Sequence, residues 1–236
     1  MTSSYEEVIE IEERLSRLQN LELLENFMEE IANKIRSPAS AQIRGRAFKF
    51  AQSCLRNLNL RVRTEETIYI LLESALSKLR YKVRDMQALT LSCILFAVKL
   101  ETDFSAELVP FLQAWNKSFK TKLEDVFADE HLMFELMPER LGVMTLFSEV
   151  VQLTLELPEF REAFEGFDRE ELERKCLAAY VNGETVQSVF DTCYMTLILS
   201  LDSISERHSV FEDSLKLYRQ LGIEPKTAMQ SSRASA

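Results

Sequence analysis

Apolar residues recur along most of the chain at the spacing of one face of an α-helix. From residue 43 they follow the pattern i, i+4, i+7, i+8, i+11, i+12 and i+15, which predicts a long amphipathic helix. These positions are Ile43, Ala47, Phe50, Ala51, Cys54, Leu55 and Leu58. The chain of 236 residues has only 5 glycines and 5 prolines, too few for the turns of a β-sandwich or a doubly wound α/β domain. The pattern therefore indicates long helices joined by short connections.

The helical pattern repeats after about 40 residues. A shift of that length superposes apolar positions of two helices, among them the pairs Ile43/Val83, Ala51/Leu91, Cys54/Ile94 and Leu55/Leu95. Arg44 falls on Arg84 in the same register. The preceding helices keep the offset over three units, at the positions Met28, Ile31, Ala32, Ile35; Ile68, Leu71, Leu72, Ala75; and Leu108, Phe111, Leu112, Trp115. The repeating unit is thus predicted to be a pair of antiparallel helices.

The predicted fold class is all-α, an irregular right-handed helical solenoid of about 10–12 helices with the period of HEAT and armadillo arrays. One α-helical repeat domain is expected over residues 1–222. Residues 1–122 are expected to hold the HEAT-like pairs with a basic surface, and residues 123–222 a divergent acidic helical half in which the period is lost. The polar residues 223–236 are expected to be a disordered tail.

Two segments within residues 43–98 resemble a known family. The first is Ile43-Arg44-Gly45-Arg46-Ala47, and the second is the leucine-rich basic run from Leu76 to Leu89, which contains Val83-Arg84. They are similar to the amino-terminal part of the G-type HEAT subunit of condensin, a chromosome-associated protein. The resemblance implies a HEAT-type solenoid in which basic residues hold DNA phosphates. It also implies a concave surface that takes an extended segment of another subunit.

Charge is distributed unevenly along the chain. The formal net charge of −10 divides into −7 over residues 1–30, +9 over residues 31–122 and −12 over residues 123–236. A basic segment inside an acidic protein indicates a binding surface for a polyanion. The candidate binding residues are Arg44, Arg46, Lys49, Arg61, Arg63, Lys78, Arg80, Lys82 and Arg84.

Successive helix pairs of a solenoid place their connecting edges in register, so these cations are expected to form a ladder along DNA phosphates. An acidic protein partner would suit the same residues. A structural interpretation stays open beside both, in which Arg44 and Arg84 pair with acids or carbonyls between repeats. The other cations would then form a solvated face or bind the acidic half of the same chain.

The sequence lacks the residue patterns of common catalytic and metal sites. No P-loop, G-x-G-x-x-G, G-x-S-x-G or H-E-x-x-H occurs, so no catalytic residue, metal, cofactor or small-molecule substrate is expected. His131 is interpreted as a core histidine on an apolar helical stripe, and His208 as a surface residue. The cysteines are far apart in sequence and are interpreted as reduced core residues, namely Cys54, Cys93, Cys176 and Cys193.

Targeting signals do not stand out in the sequence. The first residues lack the basic start and apolar run of a signal peptide. The longest nearly apolar stretch, Ala88 to Val98, has about half the length of a membrane span. An intracellular protein, nuclear or cytoplasmic and without a membrane partner, is therefore expected.

The amino-terminal helix carries a second apolar pattern. Val8, Ile11, Leu15 and Leu18 follow the 3-4-3 spacing of a short coiled-coil seam. The seam is interpreted as one face of a capping helix that packs against the first repeat. If it is exposed, it is instead a strip that binds a partner.

The predicted function is that of a non-enzymatic helical-repeat scaffold, chromosome-associated and condensin-like. Its basic amino-terminal surface would hold DNA phosphates or an acidic partner. The alternative is a protein-only adaptor of HEAT or armadillo type, which binds a peptide segment or a subunit in a multiprotein complex. A protein partner is expected in both cases.

Overall fold

The structure of the chain, a computed structural model, is built from α-helices. It describes residues 3–34, 38–56, 58, 60–101, 123–140, 146–183, 186–201 and 204–226. These ranges contain ten helices and no strand, which confirms the all-α prediction. The helices are α1 (Ser3–Lys34), α2 (Pro38–Leu55), α3 (Val62–Lys78), α4 (Met86–Leu100), α5 (Leu123–Arg140), α6 (Leu146–Glu156), α7 (Pro158–Ala163), α8 (Arg169–Asn182), α9 (Val186–Leu199) and α10 (Arg207–Gln220).

Local residue chemistry explains several helix boundaries. Pro38 is the first residue of α2 and Pro158 is the first residue of α7. The N–H group at the start of a helix has no acceptor within the helix, so proline, which lacks this group, loses no hydrogen bond there. Helix α8 ends at Gly183, whose φ of 74° is left-handed and unstrained for glycine. Helix α3 begins at Val62 after Arg61, and Thr64 is buried in its first turn.

The chain divides into two compact units. Unit 1 comprises Met1–Asn26 and Leu146–Ala236, and unit 2 comprises Phe27–Thr145, so α1 contributes residues to both. The formal net charge is −12 for unit 1 and +2 for unit 2. This division differs from the predicted single domain with an acidic half from residue 123, because α5 packs on α3 and α4 and belongs to unit 2.

Helices α3 and α4 form the centre of unit 2. They pack against each other, and each also contacts α2 and α5. Helix α4 is buried without interruption from Ala88 to Val98, as the apolar run in the sequence predicts. A helix that is apolar on all sides must be covered on all sides, which places α4 inside the unit. None of the described helices has the length and apolarity to span a membrane.

Aromatic side chains fill the core of unit 1, in which α9 contacts α6, α8 and α10. The ring centroids of Phe160 and Phe211 are 4.9 Å apart, and those of Phe164 and Tyr218 are also 4.9 Å apart. Such tilted and edge-to-face pairs add to the free energy gained by burial alone. Tyr218 is fully buried and joins α10 to the short helix α7 through these rings.

Ordered packing continues beyond α10. Ile223 is fully buried, and the Lys226 N–H donates a hydrogen bond of 2.7 Å to the carbonyl oxygen of Ala163. The prediction of a disordered tail from residue 223 is therefore wrong for residues 223–226, because Ile223 anchors them to the core. Residues 227–236 of the predicted tail lie outside the described residues.

Residues of α2 and α4 that lie 40 positions apart share burial in the core, but the two helices do not begin at equivalent positions. The paired residues Ala51 and Leu91, Cys54 and Ile94, and Leu55 and Leu95 are all buried, as predicted. However, Arg44 lies inside α2, whereas Arg84 lies in the turn before α4, which Asp85 caps. The predicted equivalence of Arg44 and Arg84 is therefore wrong. The third unit, predicted from Leu108 to Trp115, lies outside the described residues.

The prediction of a buried His131 is wrong. Its side chain is 83% exposed, and its Nε2 lies 3.7 Å from Oε1 of Glu135 on the same helix. Phe134 is also 61% exposed. Helix α5 instead buries the face that carries Val126, Met133 and Leu136, which lie in contact with the central helices.

The interpretation of the amino-terminal seam as a capping face is also wrong. Ile11, Leu15 and Leu18 are all exposed, whereas Leu24 farther along α1 is fully buried. These side chains would be buried if this face of α1 packed against a repeat. The alternative, an exposed apolar strip, is the arrangement found.

The four cysteines are free thiols and all are buried, which confirms that they are core residues. Burial raises the pKa of the Cys54 thiol to about 11, and burial also raises the pKa of Cys93. A buried thiol with a raised pKa is a poor nucleophile and metal ligand, because both roles need the thiolate.

Candidate functional site

Arg44 lies in the interior of unit 2 and not on its surface. Its Nε donates a hydrogen bond to Oε2 of Glu73 on α3, and both side chains are buried. The guanidinium also lies 4.1 Å from the centroid of the Phe48 ring. These contacts agree with the structural interpretation of Arg44. Because its side chain is buried, Arg44 does not belong to an exposed binding surface.

The other candidate cations are exposed but fall into separate groups. Arg61 and Arg63 lie at the first turn of α3, whereas Lys78 ends it and Arg80, Lys82 and Arg84 follow it. Helix α3 has 17 residues, so the two groups are separated by about 25 Å along its axis. The predicted single ladder through both connections is therefore not formed.

Some of the exposed cations are paired with acids of unit 2. Arg63 lies 3.3 Å from Glu101, and Lys78 lies 3.4 Å from Glu135. Exposed pairs of this kind contribute little to stability and leave the cation available to a stronger partner. Arg46 and Lys49 are exposed on α2 and form no ion pair with the described part of the chain.

The segment Lys78–Arg84, named here the basic turn, concentrates four cations within seven residues. Arg80, Lys82 and Arg84 are exposed and form no ion pair with the described residues. Exposed unpaired cations so close together repel one another, and an anion that binds between them relieves this repulsion. The basic turn is therefore the strongest candidate site for an anion in unit 2.

The backbone of the basic turn has a Schellman geometry. The Tyr81 N–H donates to the carbonyl oxygen of Leu76 at 2.8 Å, and the Arg80 N–H donates to that of Ser77 at 2.9 Å. Two residues in the turn are left-handed, Arg80 with φ of 50° and Tyr81 with φ of 56°. Glycine is the usual residue at the first of these positions, since a side chain there costs about 1–2 kcal/mol.

Tyr81 anchors the turn to the core. Its side chain is buried, and its hydroxyl donates a hydrogen bond of 3.1 Å to Oε1 of Glu73, the carboxylate that also accepts from Arg44. Burial and the charge of Glu73 raise the pKa of Tyr81, so the hydroxyl keeps its proton. The three side chains form one buried network beneath the basic turn. Sequence analysis missed Glu73 and Tyr81, since no local pattern links residues on three segments.

Acidic residues adjoin the turn on the α4 side. The Asp85 carboxylate caps α4, accepting from the N–H groups of Gln87 at 2.9 Å and Ala88 at 3.0 Å. Burial raises the pKa of Asp129 on α5, and the charges of Asp85 and Asp125 raise it further. These acids mark the edge at which the positive surface of the turn ends.

The described residues show no catalytic or metal-binding arrangement. No group of three or more His, Cys, Asp or Glu side chains in the described ranges is placed to hold a metal ion. Comparisons with protein families, with curated proteins and with solved structures gave no match to this chain.

The left-handed Arg80 leads to a prediction about stability. We expect Arg80→Gly to increase the free energy of unfolding by about 0.5–1 kcal/mol, because relief of left-handed strain exceeds the entropic cost of glycine. Urea unfolding followed by circular dichroism measures the change. The matched control is Lys82→Gly in the same turn, whose φ is not left-handed and which should lower stability. Equal losses of stability in Arg80→Gly and Lys82→Gly would contradict the inference that the left-handed backbone of Arg80 is strained.

Proposed function

We propose that this chain is a non-enzymatic binding module whose basic turn holds the phosphates of a nucleic acid. The observation that carries the proposal is Arg80, an exposed cation at a left-handed position where glycine would be more stable. Strained positions of this kind cluster at functional sites. The side chain of Arg80 thus has a use that offsets its cost to the fold.

The chemistry of the basic turn favours phosphates over a protein partner. Protein interfaces rely on exposed aromatic and apolar anchors, with charges mainly at the rim. The exposed large apolar residues of the described chain lie on α1, α4 and α5, and none lies in the basic turn. Phosphate contacts need only positioned cations and carry no sequence information.

The wider proposal follows the resemblance to the condensin HEAT subunit. In it, the helix pairs form an irregular right-handed solenoid, the protein associates with chromosomes in the nucleus, and another subunit binds beside the DNA. The support for it is the sequence of residues 43–98 and the net charge of +9 over residues 31–122. In the alternative, a protein-only adaptor, the same cations hold an acidic polypeptide.

Salt dependence tests the proposal. Binding of a fluorescein-labelled DNA duplex of mixed sequence is measured by anisotropy over a series of NaCl concentrations. For the triple variant Arg80→Gln, Lys82→Gln, Arg84→Gln we expect the slope of log K against log[NaCl] to become shallower by about 2.7, since each lost phosphate contact removes about 0.9. The matched control is Arg46→Gln, Lys49→Gln, which neutralises unpaired cations of α2 and should leave the slope unchanged.

Two results would contradict the proposal. The first is the absence of binding at low salt by the intact chain. The second is an unchanged slope in the triple variant. If poly-glutamate binds through the basic turn and DNA does not, the protein-only adaptor is supported in place of nucleic-acid binding.

A further inference from the structure

One carboxylate beside the basic turn is shared by two basic side chains. Oε2 of Glu135 on α5 lies 3.4 Å from Nζ of Lys78, the first residue of the basic turn. Oε1 of the same carboxylate lies 3.7 Å from Nε2 of His131, one helical turn earlier on α5. All three side chains are exposed, so an anion in solution can reach them. Glu135 therefore competes with any phosphate that approaches Lys78.

The charge of this group changes with pH through His131. An exposed histidine side chain gains a proton as the pH falls from about 8 to about 5, whereas lysine stays charged and glutamate stays mostly ionised. While His131 is neutral, the Glu135 carboxylate balances the charge of Lys78. Once His131 is protonated, the same carboxylate faces two cations, and the three side chains together carry a net positive charge.

The cations that the neighbouring helices bring to α5 keep their charge over this pH range. Helices α3 and α4 both pack against α5. Lys78 belongs to α3, and Lys99 of α4 forms an ion pair with Glu130, the residue before His131. Lysine and arginine do not titrate near neutral pH, so these residues and the arginines of the basic turn contribute the same charge throughout. The change of charge therefore arises on α5 itself.

Asp129 is a second group on α5 that acts in the same direction. Burial raises the pKa of its carboxyl, and the charges of Asp85 and Asp125 raise it further. Protonation of Asp129 removes a negative charge, which also favours a bound anion. Asp129 is retained in a variant of His131, so the difference between that variant and the intact chain isolates the contribution of the histidine.

We propose that Glu135 and His131 make phosphate binding by the basic turn depend on pH. At neutral pH Glu135 holds Lys78 and weakens phosphate binding, and protonation of His131 releases Lys78 to the phosphate. Nε2 of His131 and Nζ of Lys78 contact one carboxylate and so lie within about 10 Å of each other, a separation at which charges still interact at low salt. This inference rests on the proposed function, because the same basic turn binds the phosphate.

The pH dependence of DNA binding tests the role of His131 on the full chain. Anisotropy of a fluorescein-labelled duplex of mixed sequence is measured at about pH 7.5 and about pH 5.5, at one low salt concentration. On acidification we expect the affinity of the intact chain to rise about two- to threefold more than that of His131→Gln. The matched control is His208→Gln on α10, which removes the other of the 2 histidines and should respond like the intact chain.

Glu135→Gln tests the competition for Lys78. At about pH 7.5 we expect this variant to raise DNA affinity about two- to fivefold, because loss of the exposed ion pair frees the lysine. The matched control is Glu101→Gln, which removes the acid that lies 3.3 Å from Arg63 at the opposite end of α3. Arg63 lies outside the basic turn, so this variant should leave the affinity nearly unchanged.

The outcomes distinguish failure of this inference from failure of the proposed function. An equal rise in affinity for the intact chain and His131→Gln would overturn the role of the histidine, and equal affinities of Glu135→Gln and the intact chain would overturn the competition. Neither result affects the proposed function if the triple variant of the basic turn still weakens binding. Absence of DNA binding by the intact chain at both pH values would overturn both. Circular dichroism at each pH checks that every variant is folded.

Discussion

Arg44→Ala is expected to lower the free energy of unfolding by about 3–5 kcal/mol, because it leaves the buried carboxylate of Glu73 without its cation. Both side chains are buried in unit 2, and the Glu73 carboxylate also accepts from the Tyr81 hydroxyl. An unpaired charge in this position loses its solvation by water and gains no compensating partner. Urea unfolding followed by circular dichroism measures the loss.

Matched variants identify the buried ion pair as the cause. Arg46→Ala removes the same side chain from an exposed position two residues away, and its effect should stay within about 0.5 kcal/mol. Tyr81→Phe removes one hydrogen bond and should cost about 1 kcal/mol. The double variant Arg44→Met, Glu73→Leu should recover most of the stability, because neither buried charge remains. Similar losses for Arg44→Ala and Arg46→Ala would show that the pair does not stabilise the fold.

Tyr218→Ala is expected to cost about 3–5 kcal/mol of stability in unit 1, because it empties the centre of the aromatic core. The ring of Tyr218 packs on Phe160 and Phe164, with centroid distances of 5.9 and 4.9 Å. Its hydroxyl forms hydrogen bonds with the hydroxyl groups of Thr154 and Thr196. The cavity left by alanine removes both the ring contacts and these hydrogen bonds. Urea unfolding again measures the change.

Tyr218→Phe separates the two contributions. It keeps the ring and removes the hydroxyl, so we expect a loss of about 1–2 kcal/mol. The Thr154 hydroxyl retains its hydrogen bond of 2.8 Å to the carbonyl oxygen of Val150, which limits the loss. If Tyr218→Ala costs no more than Tyr218→Phe, the aromatic packing contributes nothing and the core described here is wrong.

Apolar periodicity was sufficient to predict the helices and much of the core. The pairs Cys54 and Ile94, and Leu55 and Leu95, are buried at the predicted offset, because burial of one helix face is encoded by spacing along the chain itself. The buried run from Ala88 to Val98 was equally visible, since few polar residues interrupt it.

The candidate site was predictable only in part. Arg44 and Arg84 are the same residue type at the predicted repeat offset, yet one is buried and the other is exposed. The difference depends on Glu73, which reaches Arg44 from another helix, and on Asp85, which fixes the start of α4. Such pairings arise from tertiary contacts and leave no local pattern.

Exposure of apolar residues is the second property that spacing does not encode. Leu18 and Leu24 are both leucines of α1, but Leu24 is fully buried whereas Leu18 is exposed to solvent. The pattern on a helix tells which residues share a face and not whether anything covers that face. The same holds for His131 on α5, which is exposed although it was predicted to lie on a buried apolar stripe.

The burial of every thiol determines how the native protein meets oxidants and alkylating reagents. Since Cys54, Cys93, Cys176 and Cys193 are all buried, the folded chain presents no cysteine thiol to such reagents. Disulfide cross-linking between molecules is therefore not a hazard of storage while the fold persists. A spectroscopic label can be attached at a single cysteine added to the surface, with all four natural cysteines left in place.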